Sequence, residues 1–249
     1  MDTSVPFSMY DDLQKHGILP DLYFQDNAEP ALALSGEDFT YQTLFDLSPD
    51  LAECDSILLH FAGVDTLSDI YLNGEWLGEP YNMHRDRAFP VKHLLPATGN
   101  LLDIHFHSPT RFMKEALEKH GSIPSNTDTL DGFAYLRKSA CMSGWDWGPK
   151  LPDMGLFREV TLMGIDQDRI YSVLVRQKHQ DGKVSLSFDV DSLRTQNKEP
   201  AQYAVTVTAP DGTSLFAADA NDGIVIENPQ LWWPNGYGEQ PLYTVRVES

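Results

Sequence analysis

Short segments in which apolar and polar residues alternate, separated by turn residues, limit this chain to an all-β fold. Asn100–Ser108 alternates apolar and polar side chains, which is the period of a half-buried strand. Asp69–Leu72 leads into Asn73-Gly74, a pair that favours a tight hairpin because both residues tolerate positive φ. We therefore predict an all-β protein built from short strands.

Seven further segments have the length and composition of strands, and helices are few. The predicted strands are Ser56–Ala62, Phe157–Leu162, Ile170–Arg176, Val184–Val190, Gln202–Thr208, Gly223–Ile226 and Tyr243–Val247. Ser8 is a predicted cap for a short helix ending near Gln14. Ser108-Pro109 predicts the start of a second helix, which Gly121 ends.

The charge balance excludes two classes of partner. The 249 residues include 18 Lys and Arg against 37 Asp and Glu, a formal net charge of −19. Such an acidic surface repels nucleic acid and anionic lipid, so we expect no nucleic acid and no membrane as partners. The first residues lack the basic and apolar segments of a signal peptide, and the expected location is cytoplasmic.

The sequence predicts two structural units that meet near Gly164–Asp168. Residues 1–166 are rich in aromatics and long loops. Residues 167–249 show strands that recur around turns such as Asp181-Gly182 and Asp211-Gly212, the pattern of a small β-sandwich. An immunoglobulin-like sandwich usually needs about 100 residues. The second unit is therefore expected to be small or truncated.

Trp145-Asp146-Trp147-Gly148-Pro149 is the strongest candidate for a binding motif. Indole rings can stack on the C–H face of a sugar, while a carboxylate accepts hydrogen bonds from two neighbouring hydroxyl groups. The alternative is that both tryptophans belong to the core, where this residue type is usually well buried. Residue chemistry alone leaves both interpretations open.

No metal, cofactor or catalytic site is predicted. Asp103, His105 and His107 share one strand face and could offer zinc ligands, but a solvated polar face gives the same pattern. The sequence contains no glycine-rich phosphate loop, GxSxG or HExxH motif, and we expect no cofactor. A glycosidase needs two carboxylates about 5–9 Å apart, which sequence spacing alone cannot identify.

Three groups of motifs resemble one enzyme family along nearly the whole chain. Phe61–Thr66, Ile70–Gly74, Leu77-Gly78 and Asn82–Arg85 resemble the sugar-binding N-terminal domain of family 2 glycoside hydrolases. Arg137-Lys138 followed by Gly144–Pro149 is similar to the β-mannosidase branch. Asn228–Gly238 is similar to the end of that family's second domain.

The resemblance implies a galactose-binding-like jelly-roll β-sandwich (1–166) followed by an immunoglobulin-like β-sandwich (167–249). In the family a (β/α)₈ barrel follows and holds both catalytic glutamates. Such a barrel needs about 200 residues or more, and no part of this all-β sequence is left for it. The chain is thus expected to be a non-catalytic N-terminal portion of a retaining exo-glycosidase, without catalytic residues of its own.

The resemblance also implies which residues touch the sugar. In β-mannosidases the loop carrying this motif reaches the barrel's sugar pocket, which identifies Trp145 and Asp146 as substrate-binding residues and places Trp147 beneath them as packing. The implied partners are a β-linked mannoside or related glycan and the C-terminal catalytic barrel. If Asp146 is instead structural, it is expected to be buried and paired with Arg137, Lys138 or a backbone amide.

Two other functions fit the same residues. The chain could be a free-standing carbohydrate-binding module, or a structural pair of β-sandwiches without a ligand. The Asn228–Gly238 motif favours an enzyme portion, because a lone module has little use for a second unit that presents a barrel.

Overall fold

A computed structural model describes residues 1–124, 128–167, 169–193 and 202–249. The chain forms two compact units, Met1–Gly164 (unit 1) and Ile165–Ser249 (unit 2). Antiparallel strands dominate both, so the all-β prediction is confirmed. Within the described ranges, no helix is both long and apolar enough to span a bilayer.

Unit 1 is a sandwich of two sheets, as expected for a jelly roll. Its strands are β1 (Phe39–Phe45), β2 (Ser56–Phe61), β3 (Ser68–Leu72), β4 (Glu75–Gly78), β5 (Arg87–Pro90), β6 (Asn100–Phe106) and β7 (Val160–Ile165). One sheet has the order β1-β6-β3-β4 and the other β5-β2-β7. Their facing sides enclose one core cluster that includes Phe61 of β2 and Phe106 of β6, both fully buried.

The alternation of β6 places its apolar residues in that core. Leu102, Ile104 and Phe106 are buried, while the residues between them are only partly buried. β6 pairs with β1 on one side and β3 on the other, which makes it a central strand. The predicted hairpin also forms between β3 and β4, and Asn73 and Gly74 both have positive φ, 52° and 84°.

Among the residues that the structure describes, four α-helices lie around the sandwich. They are α1 (Met9–Lys15), α2 (Ala28–Ala31), α3 (Pro49–Glu53) and α4 (Pro109–His120). Ser8 caps α1 and Ser108 caps α4, as predicted, and Gly121 ends α4 with a φ of 81°. Neither α2 nor α3 is predicted from the sequence, because four or five residues are too few to show a helical period.

In its described residues, unit 2 is a smaller sandwich of two three-stranded sheets. Its strands are β8 (Arg169–Gln180), β9 (Lys183–Leu193), β10 (Ala204–Thr208), β11 (Ser214–Ala217), β12 (Ile224–Ile226) and β13 (Thr244–Glu248). The sheet orders are β12-β9-β8 and β11-β10-β13. Leu186 and Phe188 of β9 share a core cluster with Val205 and Val207 of β10, which packs the two sheets face to face.

Among the predicted strands, β7 departs furthest from its predicted start. β7 starts at Val160, whereas the apolar pattern places a strand from Phe157. The Phe157 ring lies against Gly63, where an added Cβ would come within 2.7 Å of the ring. The apolar character of Phe157 therefore reflects packing on a glycine and not a place in the strand.

Replacing Ser108 with alanine is expected to lower the free energy of unfolding of unit 1 by about 1–2 kcal/mol. The buried Ser108 Oγ accepts from the Arg111 backbone N–H (2.9 Å) and donates to the Ser35 carbonyl oxygen (2.7 Å). Ser48→Ala is the control, since its Oγ makes a longer, exposed cap bond to Leu51 (3.4 Å). Chemical denaturation measures the free energy of unfolding of both variants. Equal losses would show that burial of the Ser108 hydroxyl does not strengthen its contribution.

Candidate functional site

The Trp145–Pro149 motif lies in a loop of unit 1, residues 138–153, called here the tryptophan loop. Trp145 and Gly148 form an isolated antiparallel bridge, and the Gly148 N–H donates to the Trp145 carbonyl oxygen (3.3 Å). Asp146 and Trp147 therefore occupy the central positions of a tight turn. The turn therefore places these two side chains at the tip of the loop.

The side chains of the turn are exposed. Trp145 is 40% exposed and Trp147 81% exposed, and Asp146 is exposed as well. The interpretation of both indoles as core residues is therefore wrong for unit 1. Within unit 1, Trp147 does not pack beneath its neighbours as expected, because its indole is largely exposed.

The Asp146 carboxylate has no ion-pair or hydrogen-bond partner among the described residues. The structural alternative paired it with Arg137 or Lys138. Lys138 instead forms an ion pair with Asp65, and Arg137 is exposed. An exposed, unpaired carboxylate keeps its hydrogen-bond acceptors available for an external ligand.

Backbone contacts and one glycine fix the conformation of the tryptophan loop below its tip. The Leu151 N–H donates to the Met142 carbonyl oxygen (2.9 Å), and the Leu130 N–H to that of Ser143 (2.8 Å). Gly144 has a φ of 120°, and a Cβ there would lie 2.6 Å from the Asp128 carbonyl oxygen. A side chain at position 144 would thus change the path of the chain just before Trp145.

The segment Asn82–Arg85, part of the family resemblance, supports the start of the loop. The Met83 N–H donates to the Arg137 carbonyl oxygen (3.0 Å), and Asn82 and Arg137 form a parallel bridge. The Ser139 N–H lies 3.0 Å from the Met83 sulfur. Two motifs that are distant in sequence are therefore in direct contact.

A buried group of charges lies at the base of the tryptophan loop. The Lys138 ammonium donates to Asp65 Oδ2 and to the Asp153 carbonyl oxygen (2.9 Å). The side chains of Lys138 and Asp65 are only 2% and 6% exposed. Burial lowers the pKa of Lys138, although Asp65 opposes this shift, and burial raises the pKa of the Asp153 carboxyl.

This buried group of charges is not predictable from the sequence. Asp65, Lys138 and Asp153 are far apart in the chain, and none has a neighbour that marks it as buried. Only the fold brings them together, because the Asp65 backbone pairs with that of Gly155, two residues beyond Asp153.

His105 of β6 and His107, which directly follows the strand, both pair with carboxylates. His105 Nε2 lies 3.1 Å from Asp103 Oδ2, and His107 Nε2 lies 2.9 Å from Asp69 Oδ2. The described part of the chain contains no group of three His, Cys, Asp or Glu side chains arranged to hold a metal ion. These two pairs are an ordinary polar strand face.

Each unit also contains a cavity, and neither is lined by Trp145 or Asp146. The unit 1 cavity, about 460 Å³, lies beside α4 and includes Tyr81 and Tyr135 in its lining. The unit 2 cavity, about 600 Å³, is more apolar and includes Trp232 and Trp233 of the Asn228–Gly238 motif.

Comparison with known families identifies both units. The model of the glycosyl hydrolase 2 galactose-binding domain-like family matches residues 1–158, and the model of glycosyl hydrolases family 2 matches residues 168–249. The chain belongs to glycosyl hydrolase family 2. The resemblance found in the sequence is confirmed, and with it the combination of a jelly-roll sandwich and an immunoglobulin-like sandwich.

Individual relatives of this family 2 chain carry the name β-mannosidase. It is 31% identical over 254 residues to beta-mannosidase B of Aspergillus oryzae and 24% identical over 270 residues to beta-mannosidase of Capra hircus. Among solved structures, a beta-D-mannosidase from Dictyoglomus thermophilum matches with a TM-score of 0.70 and 29% identity. A beta-glucuronidase from an uncultured Clostridium (TM-score 0.55, 16% identity) shares the fold.

The family 2 chain spans about 30% of the length of these relatives. The alignments cover 98% of this chain but 30% of the Aspergillus oryzae protein, and 98% against 31% for the Dictyoglomus thermophilum structure. The chain resembles the N-terminal domains of family 2 β-mannosidases.

Asp69→Asn is expected to destabilise unit 1 by about 1 kcal/mol at pH 6. Burial alone would raise the pKa of Asp69, but hydrogen bonds from Trp76 Nε1 (2.8 Å) and His107 outweigh it and lower the pKa below 3.8. The stabilisation is therefore present above pH 3.8 and is lost as the pH falls through the lowered value. Thermal melts at pH 6 and at pH 3 measure the difference.

The control for this prediction is Asp146→Asn, which removes an exposed carboxylate without a described partner and should melt like the parent chain at both pH values. A gap between Asp69→Asn and the parent chain that stays constant down to pH 3 would show that the charge of Asp69 does not contribute.

Proposed function

We propose that this chain is the non-catalytic N-terminal portion of a β-mannosidase-like retaining exo-glycosidase, and that its tryptophan loop contributes to the sugar pocket of a catalytic barrel in the same protein. The similarity to β-mannosidases over nearly the whole chain supports the first part. The exposed turn with an unpaired Asp146 carries the second part.

The chemistry of the turn suits a sugar. The half-exposed Trp145 indole offers an apolar face for the C–H groups of a pyranose ring. Asp146 offers two carboxylate oxygens, which can accept hydrogen bonds from neighbouring hydroxyl groups, and such charge-assisted bonds are stronger than neutral ones. A β-linked mannoside supplies both an apolar ring face and hydroxyl groups.

The proposal assigns binding to this chain and bond cleavage to the barrel. A retaining glycosidase needs two carboxyl groups about 5–5.5 Å apart on either side of the scissile bond. The tip of the loop supplies a single carboxylate, Asp146, so we assign it no catalytic role. Its contribution is to hold the sugar so that the barrel's carboxyl groups can act on it.

In the full-length protein, Asp146→Ala is expected to lower kcat/KM for an aryl β-mannoside roughly ten- to hundredfold. This corresponds to a loss of about 1.5–3 kcal/mol of transition-state stabilisation. The lost bonds join a charged oxygen to sugar hydroxyls. The matched control is Asp26→Ala, which removes an exposed carboxylate elsewhere in unit 1. Unchanged kinetics for Asp146→Ala, combined with a large loss of stability, would identify Asp146 as a structural residue.

The 249-residue chain alone is expected not to hydrolyse aryl β-mannosides, and to bind mannose with a Kd of about 1 mM or weaker. An open turn buries little of a sugar, so immobilising the ligand costs more than a few contacts return. Isothermal titration calorimetry measures the affinity. A micromolar Kd would favour the second candidate, a free-standing carbohydrate-binding module. The exposed tryptophans fit both functions, and the affinity distinguishes them.

A further inference from the structure

The two ends of the tryptophan loop are joined by one buried side chain. Lys138 lies at the first position of the loop, and its ammonium group donates to the carbonyl oxygen of Asp153, the last position, at 2.9 Å. The loop between them carries the exposed turn at Trp145–Gly148. Lys138 therefore closes a ring of sixteen residues at its base.

The base is attached to the sandwich through Asp65. The same ammonium group donates to Asp65 Oδ2, and the Asp65 backbone exchanges two hydrogen bonds with that of Gly155 (2.9 Å each). On the opposite side, the Phe7 N–H donates to the Leu156 carbonyl oxygen (2.8 Å). The residues that follow the loop are thus held between two other segments of unit 1.

Because Lys138 is buried, its ion pair and hydrogen bond stabilise only one arrangement of the two loop ends. A lysine ammonium that is removed from water is destabilised by several kcal/mol unless it finds a carboxylate and hydrogen-bond acceptors. At 2% exposure, Lys138 has both only where Asp65 and the Asp153 carbonyl meet. A displacement of either loop end would leave a buried charge without its partners. Exposed pairs such as Lys150–Asp128 (2.5 Å) impose no comparable penalty.

We propose that Lys138 is a positioning residue for sugar binding: by joining both ends of the tryptophan loop to Asp65, it holds Trp145 and Asp146 where a sugar contacts them. The inference rests on the proposed function of the loop, since it assigns a role to a residue behind the contacts. Lys138 itself is buried and touches no ligand.

The first experiment is a double-mutant cycle in the full-length protein. Lys138→Met removes the ammonium but keeps the length of the side chain, and should lower kcat/KM for an aryl β-mannoside about ten- to hundredfold, because small displacements of positioning groups have effects of this size. In an Asp146→Ala background the same change should cost less than in the parent, because one of the two contacts that Lys138 positions is already gone. Equal losses in both backgrounds overturn the proposal, because Lys138 would then act independently of the loop tip.

The second experiment does not depend on sugar binding. Hydrogen–deuterium exchange of the 249-residue chain compares the bonded amides of Gly148 and Leu151 in the loop with those of Ile70 and Ile104 in the sheet. Lys138→Met should speed exchange in the loop at least tenfold and leave the sheet amides unchanged. Faster exchange of both groups to the same extent, or of neither, overturns the proposal.

A paired variant covers the case in which Lys138→Met fails to fold because Asp65 is left as an unpaired buried charge. Lys138→Met with Asp65→Asn removes both charges and preserves the shape of the pair, a change that folded proteins often tolerate. It should fold and still show fast exchange in the loop. The exposed control Lys15→Met, which breaks the Lys15–Asp11 pair, should behave like the parent chain.

The two proposals fail in different ways. If Asp146→Ala leaves the kinetics unchanged, the proposed sugar contact is wrong, while the exchange measurement still decides whether Lys138 orders the loop. If Asp146→Ala lowers kcat/KM and Lys138→Met does not, the sugar contact stands and the positioning role is wrong.

Discussion

The packing of alternate side chains between the two sheets of unit 1 is the constraint on which the rest of that unit depends. Ile57, Leu59 and Phe61 of one sheet share a core with Ile104 and Phe106 of the other. This burial fixes the register of the central strands, because a shift by one residue would expose every apolar side chain. The N-terminal segment packs on this core through Phe7 and Met9, and the β3–β4 hairpin extends the sheet that contains β6.

The same core also fixes the position of the buried charges at the base of the tryptophan loop. The buried Lys138 and Asp65, with the partly buried Asp153 beside them, can remain there only because the surrounding backbone offers acceptors and donors in the right positions. Asp153 Oδ1, for example, accepts from the backbone N–H groups of Met154 (2.8 Å) and Tyr10 (3.3 Å). The polar base is therefore held by several hydrogen bonds, while the turn above it is exposed to solvent.

Local patterns predict local features of this chain, and non-local contacts remain outside their reach. The alternation of β6, the Asn73-Gly74 hairpin and the caps Ser8 and Ser108 are confirmed because each depends on a few adjacent residues. The Trp145–Pro149 motif was found because its composition is unusual. Trp147 does not pack within unit 1 as expected, and Lys138 was not connected with Asp65, since both depend on how distant segments meet.

The closed base of the tryptophan loop separates ligand contact, which depends on the exposed tip, from folding stability, which depends on the buried base. Substitutions at the exposed tip change what the loop contacts, yet they alter none of the interactions that hold the sandwich together. Substitutions at Lys138 or Asp65 change the interactions at the base of the loop and leave the side chains of the tip unchanged. A loop built in this way can diversify in sequence at little cost in folding, much as the variable loops of other β-sandwiches do. The same feature makes residues 139–152 a natural segment to exchange between related proteins.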